Sequence, residues 1–214
     1  MFEKVFKGDK TKYDPDKSTS QVTGVPLSED DLAKYGINLN EIKFNTNSTV
    51  KQATPSAATR YTIVPDNSSN AGKPGYITKS EYNYLVATIA GEAGGVSTTN
   101  CYAVASASLN AAEKQHDGDI MKFLENNCWP HGKNYKNYID ADGKICITGN
   151  GQEENYKRAK ISTDIALSGT RAFPSEVQFW VGNWKYLKDN GLLNKYNSFN
   201  KFSTTSEESS QFVE

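Results

Sequence analysis

The chain has 214 residues, with 24 Lys and Arg against 25 Asp and Glu and a formal charge of −1, so it lacks the basic excess by which proteins hold nucleic acid. It has no run of about 18 apolar residues that could cross a membrane, and its opening MFEKVFKGDKTKYDPDK has no apolar core of a secretory signal. Hydrophobic residues make up 36% and mean hydropathy is −0.67, so part of the chain is expected to lie outside a core. Cys101, Cys128 and Cys146 are irregularly spaced and form no CxxC pair. With only His116 and His131 beside them, neither a disulfide framework, a zinc site nor any cofactor is expected.

Residues 1–75 read as a polar N-terminal arm, rich in Ser, Thr, Asn, Asp and Lys, with scattered apolar residues. Ser28 can cap a short helix that reaches Tyr35 before Gly36 stops it. Residues 45–74 read as extended linker with turns at Pro65-Asp66-Asn67 and Gly72-Lys73-Pro74-Gly75. Such a segment buries little by itself; it is either a linker or a wrap around the rest of the chain.

Residues 76–200 carry the helical signals. Thr78-Lys-Ser-Glu81 is a capping box, and Tyr82, Leu85, Val86 and Ile89 follow at helical spacing until Gly94-Gly95. Ser97 can cap a second helix through about Lys114. Its face Cys101, Val104, Ala105, Ser108, Leu109 and Ala112 is mostly small, which suits a central helix approached closely by its neighbours. A short helix is expected over about 119–126. Asp142-Gly143 between Ile139 and Ile147 reads as a hairpin turn. A calcium loop is disfavoured there, because its first and twelfth positions would be Tyr138 and Gly149. A fourth helix is expected over about 152–167 with Gly169 beyond it, a strand over 176–181, and a last helix over 184–193. Residues 201–214 read as a polar, frayed tail.

Glu92 lies three residues after Ile89, at the end of its helix. The spacing suggests the apolar face, where a carboxyl would be partly desolvated and held protonated, as a general acid at a glycosidic oxygen requires. Flanking Gly91, Ala93, Gly94 and Gly95 leave room for a substrate chain.

The run Ala90-Gly-Glu92-Ala-Gly-Gly95, then Ala103-Val-Ala105, then Leu109-Asn110, resembles the spore cortex-lytic and cell wall hydrolase family. That family carries a GEARGE-type motif followed at fixed distance by a helix reading roughly GQVAVAAVILNR. Val96 stands at the second acidic position of the motif, so Glu92 alone keeps the acid there. A weaker echo runs from Ala166-Leu-Ser-Gly169 to Phe179-Trp180-Val-Gly-Asn183. The resemblance covers about residues 78–185.

The resemblance implies a mainly α (α+β) fold: a compact helical domain of the lysozyme and lytic-transglycosylase type with a small hairpin, preceded by the largely extended arm. It implies cleavage of peptidoglycan glycan strands with Glu92 as the single catalytic acid and base. A hydrolytic route would need a second carboxylate; Asp119, Asp140 and Asp142 are the candidates, and all fall in or beside loops. Trp129, His131, Tyr135, Trp180 and Asn183 are the candidate substrate-binding residues, with Phe179, Trp184 and Tyr138 as further aromatics. A wall enzyme without a secretory signal points to a phage endolysin or virion-associated lysin, acting on the bacterial wall, with residues 1–75 as a candidate docking arm for virion proteins. The alternative is a peptidoglycan-binding or virion structural protein that keeps the fold and does not cut.

Overall fold

The computed structural model describes residues 26–44, 55–130, 132–147, 149–182, 189, 202–204 and 210–213. The fold is mainly helical with short strands. Its centre is three helices: α2 (Lys79–Ala93), α3 (Thr98–Gln115) and α5 (Gln152–Leu167), with α5 packed on both others. A short α1 (Glu29–Ala33) precedes them, and α4 (Ile120–Phe123) lies between α3 and α5.

Local chemistry explains where these helices begin. Ser28 accepts from the Asp31 amide at the start of α1. At α2 the expected capping box forms: Thr78 accepts from the Glu81 amide and the Glu81 carboxylate accepts from the Thr78 amide. Asp66 adds a second tie, accepting from both the amide and the hydroxyl of Ser80 at 2.8 Å. Ser97 caps α3 through the Asn100 amide. The small face of α3 is fully enclosed, with Cys101, Val104, Ala105, Ser108, Leu109 and Ala112 all buried. The helix expected over 119–126 is capped by Asp119 but keeps α-geometry only to Phe123; residues Leu124–Cys128 widen into a π turn.

Helices α2 and α5 are tied by polar contacts as well as apolar ones. Tyr82 donates to the buried Asp164 carboxylate at 2.5 Å, and the Lys160 ammonium reaches its other oxygen at 2.7 Å. Burial pushes the Asp164 carboxyl well above its ordinary range. Helix α5 ends at Leu167, and Gly169 just beyond it has a φ of +93°, which suits glycine. A Cβ there would stand 3.1 Å from the Ala58 carbonyl oxygen.

That contact belongs to a segment expected to be part of an extended arm. Leu32, Ile37, Leu39, Ile42 and Tyr61 are instead buried in the core. Strand β1 (Ile42–Phe44) follows a single 3₁₀ turn. Strand β2 (Ser56–Ala57) pairs antiparallel with β5 (Thr170–Arg171), and β3 (Thr62–Val64) pairs parallel with β4 (Tyr76–Thr78). Residues 26–44 and 55–75 therefore wrap the helices. An apolar residue needs no periodic spacing to be buried when the chain lies across helices already formed.

The C-terminal side also differs from expectation. Residues 202–204 and 210–213, read as a frayed tail, are strands β7 and β8. With β6 (Phe179–Gly182) and β1 they form an antiparallel sheet of order β1-β7-β8-β6. The hairpin expected between Ile139 and Ile147 reduces to one bridge, Ile139 to Ile145. Its turn is held instead by the Asp140 carboxylate, which accepts from the amides of Asp142 and Lys144. The strand expected over 176–181 begins only at Phe179, because Pro174 to Val177 form a turn. Of the expected helix over 184–193, only Asp189 falls among the described residues.

Two buried polar contacts secure α3. Asn110 donates to the carbonyls of Pro174 (2.9 Å) and Val177 (3.0 Å). Arg171, wholly enclosed, meets Glu113 at 2.9 Å and the Thr59 carbonyl at 3.3 Å.

Candidate active site

Glu92 occupies the last turn of α2, on a row with Tyr84 and Thr88. Residues four apart on a helix lie one above the other. Thr88 is buried and Tyr84 half-buried, whereas Glu92 is exposed. This corrects the expected partial burial of Glu92. The buried line of α2 runs through Ile89 and Ala93, and three residues of helix rotate Glu92 about 60° away from Ile89.

The segment after the π turn is fastened over this row at two points. At one, the Trp129 indole donates to the Thr88 hydroxyl at 3.1 Å, and that hydroxyl donates to the Tyr84 carbonyl at 2.8 Å. At the other, the turn Asn134–Asn137 lies on Gly91: a Cβ on Gly91 would stand 2.8 Å from Asn134 and 2.9 Å from the Tyr135 nitrogen. Tyr135 stacks on Trp129 with centroids 4.5 Å apart and planes at 19°. Tyr84 meets the same pair, 5.5 Å from Trp129 and 6.3 Å from Tyr135. Between the two anchors, a Cβ on Gly132 would lie 3.4 Å from a carboxylate oxygen of Glu92. Beneath, burial raises the Cys128 thiol above its ordinary range and the charge of Glu92 adds to that rise.

The corner that follows Glu92 is held from the other side. Arg158 of α5 donates to the Gly94 carbonyl at 3.2 Å, satisfying one of the carbonyls a helix end leaves open. A Cβ on Gly94 would lie 2.7 Å from Asn155 of α5, whereas Gly95 faces open space. Of the glycines flanking Glu92, two thus serve close packing and one leaves the approach clear. Val96, beyond them, is an exposed apolar side chain.

The candidate residues thus divide. Glu92, Trp129 and Tyr135 are brought together. Trp180 packs against Phe123, with centroids 6.2 Å apart, and makes no described contact with the Trp129–Tyr135 pair. Tyr138 is buried, its hydroxyl accepting from Asn155 at 3.3 Å, so it is a core residue rather than a groove aromatic. His131, Asn183 and Trp184 lie outside the described residues, as does the side chain of Phe179. Asp119 and Asp140 accept local backbone N–H groups, Asp119 from the Lys122 amide at 2.9 Å. Asp142 is exposed in the same turn as Asp140. Tyr84, Thr88, Gly132 and Arg158 were not found by sequence reasoning; the four-residue spacing of Tyr84, Thr88 and Glu92 was the one available signal.

Among the described residues there is no group of three or more His, Cys, Asp or Glu able to hold a metal. No described helix is long and apolar enough to cross a membrane. Comparison with protein-family profiles, curated proteins and solved structures finds no match to this chain.

Proposed function

We propose that this chain cleaves the glycan strands of peptidoglycan, with Glu92 as general acid and then general base. The observation that carries the reading is the placement of Glu92: an exposed carboxylate at a helix end, on the row to which the half-buried Trp129–Tyr135 pair is fastened. Sugar rings pack their C–H faces on aromatic rings, and Trp129 and Tyr135 offer that surface next to the acid. A bound glycan covering Glu92 supplies the exclusion of water that the free protein lacks. The motif spacing from Gly91 to Asn110 supports the same assignment, as does the mainly helical fold, within which a lysozyme-like arrangement is our reading.

The reaction is written for one carboxyl group. Glu92 donates its proton to the glycosidic oxygen as the C1–O bond breaks. The muramoyl 6-hydroxyl closes on C1, and its proton passes to the Glu92 carboxylate. The product carries a 1,6-anhydro ring, no water is consumed, and Glu92 ends protonated as it began. We favour this lytic transglycosylase route over hydrolysis because Asp119 and Asp140 hold local turns. The setting we propose is a phage lysin acting on the bacterial wall, in an endolysin or a virion.

Glu92→Gln keeps the shape and removes the proton transfer. Wall clearing should fall by several orders of magnitude while the protein stays folded. Mass spectrometry of the parent digest should show muramoyl ends one water lighter than reducing ends. Near-normal clearing by Glu92→Gln removes the catalytic reading. The second reading, a glycan-binding protein that does not cut, draws on the exposure of Glu92; it requires a parent chain that binds walls and releases no fragments.

A further inference from the structure

Among the described contacts that hold Trp129 and residues 132–135 on the α2 row, one is made by a single hydroxyl. A buried helical Thr commonly turns its hydroxyl back to the carbonyl four residues earlier. Thr88 does so, donating to Tyr84, and this fixes where its proton points. The lone pairs are then left facing outward, and the Trp129 indole N–H takes one of them at 3.1 Å. Indole donates and never accepts, so the pairing works in one direction only. Thr88 receives this bond one turn before Glu92.

From this geometry we infer that Thr88 is a positioning residue: its hydroxyl sets where the Trp129–Tyr135 pair and Gly132 stand relative to the Glu92 carboxylate, and so where a sugar ring is held for cleavage. The inference rests on the proposed glycan chemistry and adds to it a residue that touches neither sugar nor reacting atoms. Two anchors, Trp129 on Thr88 and the Asn134–Tyr135 backbone on Gly91, bracket Gly132. Release of the first lets the indole turn, and with it the ring of Tyr135 stacked upon it. The Gly91 anchor holds the backbone only and cannot restore the angle of the rings.

The full-length chain carrying Thr88→Val keeps the shape of the side chain and loses the hydroxyl; Thr88→Ser keeps the hydroxyl. Three quantities are read for each: the ¹⁵N–¹H resonance of the Trp129 indole, assigned with Trp129→Phe; the dissociation constant of a soluble N-acetylglucosaminyl–N-acetylmuramoyl tetrasaccharide in a Glu92→Gln background; and turnover on purified walls. Thr88→Val should move the indole resonance, weaken the tetrasaccharide by about tenfold, and cut turnover by roughly tenfold to a hundredfold, the scale of a small misplacement of reacting groups. Its melting temperature should fall by only a few degrees. Thr88→Ser should restore all three readings to within about threefold of the parent or to the parent resonance. An unmoved indole resonance, tetrasaccharide binding within twofold of the parent, or a Thr88→Ser variant as impaired as Thr88→Val each overturns the inference. Should the parent bind the tetrasaccharide and never cut walls, the catalytic proposal fails while binding still decides the role of Thr88. A parent that does not bind the tetrasaccharide overturns both.

Discussion

Gly91→Ala puts the close contact between α2 and the 134–137 turn to a quantitative test. In an exposed helix interior, replacing Gly by Ala stabilises by about 1 kcal/mol, because glycine loses more backbone freedom on folding. At Gly91 the new methyl group would stand 2.8 Å from the Asn134 carbonyl carbon and Cβ and 2.9 Å from the Tyr135 nitrogen. These are backbone atoms or atoms fixed to them, so the turn itself has to move by several tenths of an ångström. Overpacking of this kind costs about 1–3 kcal/mol. The net expectation is a loss of about 1 kcal/mol, or a fall in Tm of roughly 2–4 °C for a chain of this size. Gly95→Ala is the control. It has ordinary negative φ and nothing within 4 Å of its would-be Cβ, so its Tm should stay within about 2 °C of the parent. Thermal unfolding by circular dichroism reads both. A Gly91→Ala protein more stable than the parent would show that the turn does not rest on α2 as described.

Two further outcomes follow from the same contacts. Asn110→Ala removes the donor shared by two loop carbonyls, each unpaired buried acceptor costing about 1–3 kcal/mol; urea unfolding should show a loss of about 2–4 kcal/mol, and a loss below about 1 kcal/mol would mean that the loop finds other partners. Hydrogen bonds from the Ser80 amide and hydroxyl hold the Asp66 carboxyl below its ordinary range. A carboxylate lowered on folding stabilises above its unfolded value, near 4, and that stabilisation is lost as pH falls through the folded value. The Tm difference between the parent and Asp66→Asn should therefore be present at pH 7 and close as pH falls below about 4; a difference that grows on acidification would reverse the assignment.

The parts of the fold that were legible in the sequence are those written in local chemistry. The Thr78–Glu81 box, the Ser97 cap and the periodic apolar residues between them specify α2 and α3 within a few residues of one another. Helix α5 is bounded as expected, from Gln152 to Leu167. Among the strands only part of β6 was legible, within the strand expected over 176–181; the others are two to four residues long, too short to show a pattern of their own. Leu32, Ile37, Leu39 and Ile42 are buried but follow no single period. The site was half legible. Glu92 and its neighbouring glycines are contiguous, and Trp129 and Tyr135 stand out as aromatics in a loop. The bond between Thr88 and Trp129 joins residues 41 apart, which no local pattern encodes. The exposure of Glu92 was misjudged because helical spacing from Ile89 admits two faces, and Ala93, not Glu92, continues the buried line.

The order of the sheet has a consequence for the making of the protein. Ile42 pairs with Thr204, and β8 stands between β7 and β6. At synthesis rates of roughly 5–20 residues per second, β1 waits on the order of ten to thirty seconds before its partner has been made. Throughout that interval β1 has no neighbour from this sheet, whereas β6 waits only for β8 close behind it, and unpaired strand edges invite pairing with other chains. Helices α2, α3 and α5 draw on nearby contacts and can assemble in the meantime. The helical body can thus form before the sheet does, although β1 precedes it in sequence, and residues 210–213 complete the sheet.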